Sequence, residues 1–398
     1  MNMRPLLIVV PIIAIGCTSA DQTATDDSAD EVISASSLPV EQTVAKLRWT
    51  VARPASERSI LGHWRRIGFT ADNAYVFTDL ESDGKRPYRM RRWSVATGEI
   101  LAEVDCQCPP AQCPATDPNR PHTYISPNGD FAALYVAGER SIWLLDANTG
   151  KSLATLRATD LRHMCWNACA FSPDSSSFAF CESTPAQHAV CLVKTREPCT
   201  RKNFVLGTKF PNGMCFSPDS KTLVVGVLDK RPAFLENEGS RSCILIDIET
   251  GKQRLCLEGL AAEPFCLADG RLVAIYEDYS VPVYGCIRDR PLPGSRLQCF
   301  DVSGPTPVSV GSAFLLPRMG PGTFHVFVHP TPVGVIFKAT GKGLGAEQDY
   351  RCHKINLKSG HHTIVSTPGI YFWAISRDGC IGLTIDDDGC LMRLWEWN

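Results

Sequence analysis

Three cysteines cluster at Cys106-Gln-Cys108-Pro-Pro-Ala-Gln-Cys113, and three thiolates so close together raise the question of a metal. Zinc sites favour two to four residues between paired cysteines, whereas Cys106 and Cys108 have one. The spacing therefore points to disulfides, and Cys165 and Cys169, beside His163, read the same way. Cys181 and Cys191 flank one loop, and a bridge between them across two neighbouring strands is expected. His325 and His329 are four apart, which on a strand separates them by about 13 Å, too far to share an ion. Asp386-Asp387-Asp388-Gly389 has the acidity of a calcium loop but suits a hairpin closed by Asp-Gly. His361-His362 follows a turn and reads as solvated. No Gly-x-Ser-x-Gly, phosphate loop or His-Glu-x-x-His occurs. The residue types thus assign no catalytic group, metal or cofactor.

The elements that must position these residues come from the rest of the chain. Its 398 residues are 44% apolar and 21% charged, with net charge −2. That composition is ordinary for a globular protein and supplies no bulk electrostatic case for nucleic acid or an anionic membrane surface. Eighteen cysteines are many for a reducing compartment and suggest export or metal binding. Met1–Arg4 carries one basic residue, and the apolar stretch Pro5–Ile15 is short of the ~20 residues a membrane span needs. It ends in Ala14-Ile15-Gly16-Cys17, which resembles the lipobox of bacterial lipoproteins, with Ala14 where leucine is usual. The resemblance implies cleavage before Cys17 and its acylation. Without a lipobox, the same stretch is a cleaved secretory signal. Both readings export the chain. Acylation of Cys17 would leave an odd number of cysteines, so at least one thiol stays free or pairs with another molecule.

Residues 1–17 are accordingly assigned to the signal and 18–43 to a tether rich in Ser, Thr, Ala and Asp, which has little to bury and is expected to be disordered. About twenty such residues would hold the following domain on the order of 25 Å from its anchor. Thr18, rather than aspartate, follows the cysteine. By the same resemblance this favours the periplasmic side of the outer membrane or the cell surface.

Residues 44–398 show an internal repeat. One marker is an apolar residue followed by Ser-Pro-Asp-Gly or a variant. It reads Phe69-Thr-Ala-Asp-Asn73, Ile125-Ser-Pro-Asn-Gly129, Phe171-Ser-Pro-Asp-Ser175, Phe216-Ser-Pro-Asp-Ser220, Cys266-Leu-Ala-Asp-Gly270, Val328-His-Pro-Thr331 and Ile375-Ser-Arg-Asp-Gly379. This is hairpin chemistry: proline presets φ, Asp or Asn closes the turn, and glycine accepts positive φ. A second marker is an apolar strand ending in a Thr-Gly type turn, clearest at Ile142–Lys151 and Ile244–Lys252. The two markers alternate through seven copies, with first markers roughly 45 to 60 residues apart, the length of one four-stranded propeller blade.

On these turns, and on the ending Leu391-Met-Arg-Leu-Trp-Glu-Trp397, the chain resembles bacterial WD40-like β-propellers. The resemblance implies an all-β, seven-bladed propeller of four-stranded antiparallel blades over 44–398. It departs from the family in having no Trp-Asp dipeptide and Gly-His only at Gly62-His63. Because the last copy ends on a third strand, Val44–Val51 is expected to supply the missing outer strand of the seventh blade.

In this topology both marker turns share one face, and the long second-to-third loops lie on the other. Loops of such length on a rigid scaffold carry function. The candidate binding residues are Lys230, Arg231, Glu236 and Arg241 in one loop and Arg288, Asp289, Arg290 and Arg296 in another. Their mixed charge suits a protein surface better than a phosphate trap. The expected role is an envelope-anchored interaction module that binds an envelope protein or cell-wall ligand without catalysis, touching the membrane only through its lipid. The alternative is an exported propeller enzyme, a quinone-dependent dehydrogenase or a lactonase- or glycosidase-like hydrolase. The quinone case draws on Asp-x-x-Thr-Gly-Lys at Asp146–Lys151, although no tryptophan follows Lys151 or Lys252 as such blades usually require.

Overall fold

Alternating turn signals with apolar runs between them build strands, and the computed structural model consists of them. It describes residues 32–34, 40–52, 67–80, 89–106, 122–136, 141–157, 169–183, 187–229, 241–260, 264–278, 294–315, 323–331, 334–341, 352–357, 359, 361–366, 372–376, 378–385 and 391–397. Three strands come first: β1 (Val32–Ser34), β2 (Val40–Val44) and β3 (Lys46–Ala52). Blade 1 is β4–β7 (Ile67–Phe69, Tyr75–Leu80, Arg89–Ser94, Ile100–Asp105), and blade 2 is β8–β11 (His122–Ile125, Phe131–Val136, Ser141–Asp146, Ser152–Arg157). Blade 3 is β12–β15 (Cys169–Phe171, Ser177–Ser183, His188–Lys194, Arg201–Gly207), and blade 4 is β16–β19 (Phe210–Phe216, Thr222–Leu228, Arg241–Asp247, Gln253–Glu258). Blade 5 is β20–β22 (Phe265–Cys266, Leu272–Asp278, Gly294–Asp301), with a divided outer edge in β23 (Val308–Ser309) and β24 (Ala313–Leu315). Blade 6 is β25–β28 (Thr323–Pro330, Gly334–Gly341, Cys352–Asn356, His362–Ser366), and blade 7 is β29–β31 (Phe372–Ile375, Ile381–Ile385, Leu391–Glu396) with β3 outermost.

The expected seven-bladed propeller is the fold. The first strands of blades 1 to 5 touch in series, and β29 of blade 7 touches β4 of blade 1. Middle strands such as β17 and β18 are buried almost throughout, because blade faces stack on both sides of them. Outer strands such as β11 and β19 alternate exposed and covered residues. The core therefore lies in the seams between blades, as in the cluster joining Val224, Leu245 and Leu257 of blade 4 to Leu272 and Ala274 of blade 5.

Closure follows the expected route. β3 pairs antiparallel with β31, and Trp49 on β3 donates its indole N–H to the Val95 carbonyl of blade 1 at 2.9 Å. Similar caps recur around the ring: Lys202 of blade 3 bonds the Ile248 and Glu249 carbonyls of blade 4 at 2.7 and 2.6 Å, and Arg254 of blade 4 bonds Gly304 O of blade 5 at 2.6 Å.

The tether expected over 18–43 needs correction in its last part. β1 lies parallel to β24 of blade 5, and β2 lies parallel to β28 of blade 6. Both satisfy the open edge of an outer strand. β1, β2 and β3 thus lie on the outer edges of blades 5, 6 and 7 in order. Val32, Ile33, Val40 and Val44 give it enough β-branched character to pair. Residues 1–31, including Cys17, lie outside the described residues.

Candidate functional site

The Ser-Pro-Asp marker is a hydrogen-bonded unit with one geometry repeated around the ring. In blade 3 the Ser172 hydroxyl donates to Asp174 Oδ1 at 2.5 Å and accepts the Ser177 backbone N–H at 2.9 Å. Asp174 Oδ1 in turn accepts the Ser176 N–H at 3.0 Å. Ser126, Ser217 and Ser376 accept the N–H five residues on, each at 2.9 Å, and Thr70 does so at 3.1 Å. The Thr70 hydroxyl, then the Ala74 N–H, hold the Asp72 carboxyl below its ordinary range. Ser217 and the Lys221 N–H do the same for Asp219. Burial works against ionisation of Asp174, yet its bonds from Ser172, Ser176 and Ser220 still leave it lowered.

The position after the Asp takes positive φ and is filled by Gly129, Gly270 and Gly379, but by Asn73, Ser175 and Ser220 in blades 1, 3 and 4. These serines are used between blades. Ser175 Oγ accepts the Asn128 N–H of blade 2 at 3.1 Å, and Ser220 Oγ accepts the Asp174 N–H of blade 3 at 3.4 Å.

Blade 6 departs from the expected register. The Thr331 N–H bonds Gly334 O at 2.9 Å, and a Cβ on Gly379 would stand 2.9 Å from the Thr331 methyl. Gly129 meets Thr70 of blade 1 in the same way, also at 2.9 Å. Thr331, not His329, therefore holds the serine position, two residues later than the sequence pattern placed it. The hairpin is correspondingly shorter.

Both marker turns lie on one face, because the residue after each third strand bonds back to the first marker: Ala147 N–H to Asp130 O at 2.8 Å and Ile248 N–H to Lys221 O at 2.9 Å. At this face the axis opens into a cavity of about 330 Å³. Its wall is the apolar residue of successive markers, Phe69, Ile125, Phe171 and Phe216, with Pro127, Pro173 and Pro218 among the lining. Among the described residues, no carboxylate, imidazole, ammonium or guanidinium lines it. Beside it, between blades 2 and 3, a polar cleft of about 440 Å³ carries Asp174, Lys194, Arg196 and Glu197.

Of the eight candidate loop residues, Lys230, Arg231, Glu236, Arg288, Asp289 and Arg290 lie outside the described residues, as does Asp386–Gly389. Arg241 begins β18, and Arg296 sits on β22 with its guanidinium 5.4 Å from the Tyr276 ring centre. These two stand at the strand bases of their loops. Among the cysteines, Cys108, Cys113 and Cys165 lie outside the described residues, and Cys106 and Cys169 are buried. The Cys181–Cys191 bridge is excluded by register. Cys181 faces Val190 and Cys191 faces Phe180, so the two side chains leave opposite faces of the sheet. Cys191 instead receives a bond from Arg201 at 2.8 Å, and burial pushes its thiol up to about 12. His361 is exposed and contacts Glu41 at 3.1 Å, but His362 is buried, its Nε2 3.0 Å from His353 Nδ1. The expectation that His362 is solvated was wrong because the turn ends one residue before β28 begins.

Sequence reasoning placed candidate binding on the long-loop face and did not identify the cavity. The signal was present in the apolar residue opening each marker, which recurs once per blade and so must form a ring.

No protein-family model matches the chain, and no curated protein does. Solved structures do match. The β-propeller domain of the trilobed protease from Pyrococcus furiosus, described as having open velcro topology, superposes with TM-score 0.55 at 12% identity, covering 85% of this chain and 96% of that one. The Myceliophteria thermophila Cps50 (Swd1) propeller domain gives 0.53 at 12%, covering 89% and 100%. Oligogalacturonate lyase from Vibrio parahaemolyticus gives 0.52 at 11%, covering 89% and 97%. At such identities the likeness is one of fold, and that fold is the WD40-like seven-bladed β-propeller.

Proposed function

We propose that the chain is an exported, envelope-anchored binding module whose marker face receives an apolar side chain of a protein partner. The observation that carries this reading is the axial cavity, about 330 Å³ and walled by apolar marker residues of several blades, with the thiols of Cys215 and Cys266 as its only ionisable groups among the described residues. An apolar centre beside a polar cleft is the anatomy of a protein contact: the centre supplies affinity and the rim supplies orientation. Among the described residues this wall carries no carboxylate or imidazole, the groups that most often serve acid–base chemistry. Export and anchoring are supported by the Ala14–Cys17 stretch and by the number of cysteines.

The test is selection of displayed peptides on the purified ring, beside a variant carrying Phe171→Lys. Enriched sequences should share one aromatic or branched aliphatic residue at a fixed position, and binding should drop at least tenfold in the variant. Enrichment without such a residue, or binding indifferent to Phe171→Lys, would overturn the reading.

A further inference from the structure

The seam between blades 4 and 5 holds four free cysteines on three strands of one blade and one of the next: Cys215 on β16, Cys243 on β18, Cys256 on β19 and Cys266 on β20. All four pack into one hydrophobic cluster. The placement of Cys256 depends on a β-bulge. β18 pairs Cys243 with Leu257 and Ile244 with Leu255, leaving Cys256 as the extra residue. A bulge turns its extra residue towards the face of its neighbour, and here that face carries Cys243. In blades 1 and 2 the corresponding irregularity sits nearer the Thr-Gly turn, at Arg92/Trp93 and Leu144/Leu145. Its displacement in blade 4 is what brings the two sulfurs together.

Cys243 and Cys256 thus lie on adjacent strands, one step out of register, in the same cluster. The neighbouring Cys243 thiol, helped by the Arg254 guanidinium, lowers the Cys256 thiol below its ordinary value despite partial burial. The Cys256 thiol, with burial, pushes Cys243 up. Cys256 is partly exposed and Cys243 fully buried. An accessible, thiolate-prone sulfur backed by a buried one is the arrangement that thiol–disulfide exchange requires.

We propose that Cys256 and Cys243 form a redox-active dithiol at this seam, oxidised to a disulfide by exchange with a low-molecular-weight disulfide. The Cys256 thiolate attacks one sulfur of the small disulfide, whose S–S bond breaks. A mixed disulfide forms on Cys256, and the departing thiolate takes up the proton that Cys256 released. The Cys243 sulfur then attacks Cys256 Sγ and gives its proton to the second departing thiolate. Two protein thiols are oxidised, and one small disulfide is reduced to two thiols. Cys215 and Cys266, in the same cluster, are the competing pair, but the neighbouring Cys215 thiol and burial push Cys266 up and hold it as a thiol.

The test incubates the reduced, folded full chain with oxidised glutathione, blocks remaining thiols with iodoacetamide and maps the peptides. The expected product is a Cys243–Cys256 cross-link. Cys243→Ala should trap glutathione on Cys256, and Cys256→Ser should leave Cys243 alkylatable after unfolding. Wild-type mapping decides the matter even if the Cys243 variant fails to fold. Full alkylation of Cys256 after oxidation, a cross-link at Cys215–Cys266 alone, or stoichiometric zinc that shields Cys256 from alkylation would each overturn the proposal.

Discussion

Replacing Ser172 by alanine tests whether the marker serine is the chemical reason for the repeat. Ser172 is 1% exposed, and its hydroxyl is the acceptor for the N–H of Ser177, itself buried. Alanine leaves that N–H without its partner in a place water does not reach, which costs about 1–3 kcal/mol. The lost bond to Asp174 adds less, about 0.5 kcal/mol, because that carboxylate faces solvent. The sum is about 1.5–3.5 kcal/mol. For a unit running Val32–Asn398, unfolding entropy of about 2 cal/mol/K per residue makes each kcal/mol worth about 1.4 °C. The melting midpoint should therefore fall by about 2–5 °C in a calorimetric scan. Ser172→Thr is the control, since Thr70 makes the same bonds in blade 1 at 2.5 and 3.1 Å. It should stay within about 1 kcal/mol of wild type. Equal losses for Ala and Thr would place the cost in packing and refute the hydrogen-bond account. No measurable loss for Ala would refute it more directly.

Three further outcomes follow from the same contacts. Asp72 and Asp219 are held below their ordinary values, so their contribution is present above the unfolded pKa of about 3.9 and lost as pH falls through the folded values. Tm should drop steeply below about pH 4, and Ser217→Ala should move that limb to higher pH; an unchanged limb in thermal melts across pH 5 to 2.5 sinks the assignment. A Cβ on Gly98 would stand 2.9 Å from the Trp49 ring at φ +74. Gly98→Ala and Trp49→Ala should each cost about 2–3 kcal/mol, with the double variant less than additive in denaturant melts because the clash has gone; strict additivity would separate the two residues. Ser175 carries positive φ yet accepts the Asn128 N–H. Ser175→Gly relieves strain while losing the bond and should fall within about 1 kcal/mol of wild type, whereas Ser175→Ala loses the bond and keeps the strain, costing about 1–2 kcal/mol. Reversal of that order in urea melts would show that the inter-blade bond carries no weight.

Much of the architecture was legible because its determinants are local. Ser, Pro, Asp and Gly act within one turn, so a reader of the chain meets them in order and can count blades. Even Val44–Val51 as the closing strand followed from counting, since blade 7 offered three strands and one alternating segment had no partner. Register was harder. Thr331 was misplaced by two residues because Val328-His-Pro imitates the marker's lettering, while the decisive contact, with Gly379, comes from the next blade. The Cys181–Cys191 bridge failed for the related reason that a one-residue offset between paired strands reverses the face.

What the sequence hid were arrangements made by several distant segments at once. The strap of β1 and β2 reads as part of a polar tether, since nothing in Val32–Ser34 or Val40–Val44 names blades 5 and 6 as partners. The pairing of Cys243 with Cys256 depends on which residue of β19 is left over by a bulge, a choice set by the fit of β18 to its neighbours and not by any motif. The axial cavity sits between these cases. Each of its marker residues was singled out as a turn signal, and only the closed ring converts them into a wall. The repeat's apolar letter therefore has two physical roles. It opens the hairpin turn, and on the axis it walls the cavity. Substitutions there divide the two: Phe171→Leu should preserve the hairpin and narrow binding to fewer side chains, whereas Phe171→Lys should abolish binding with the ring still closed.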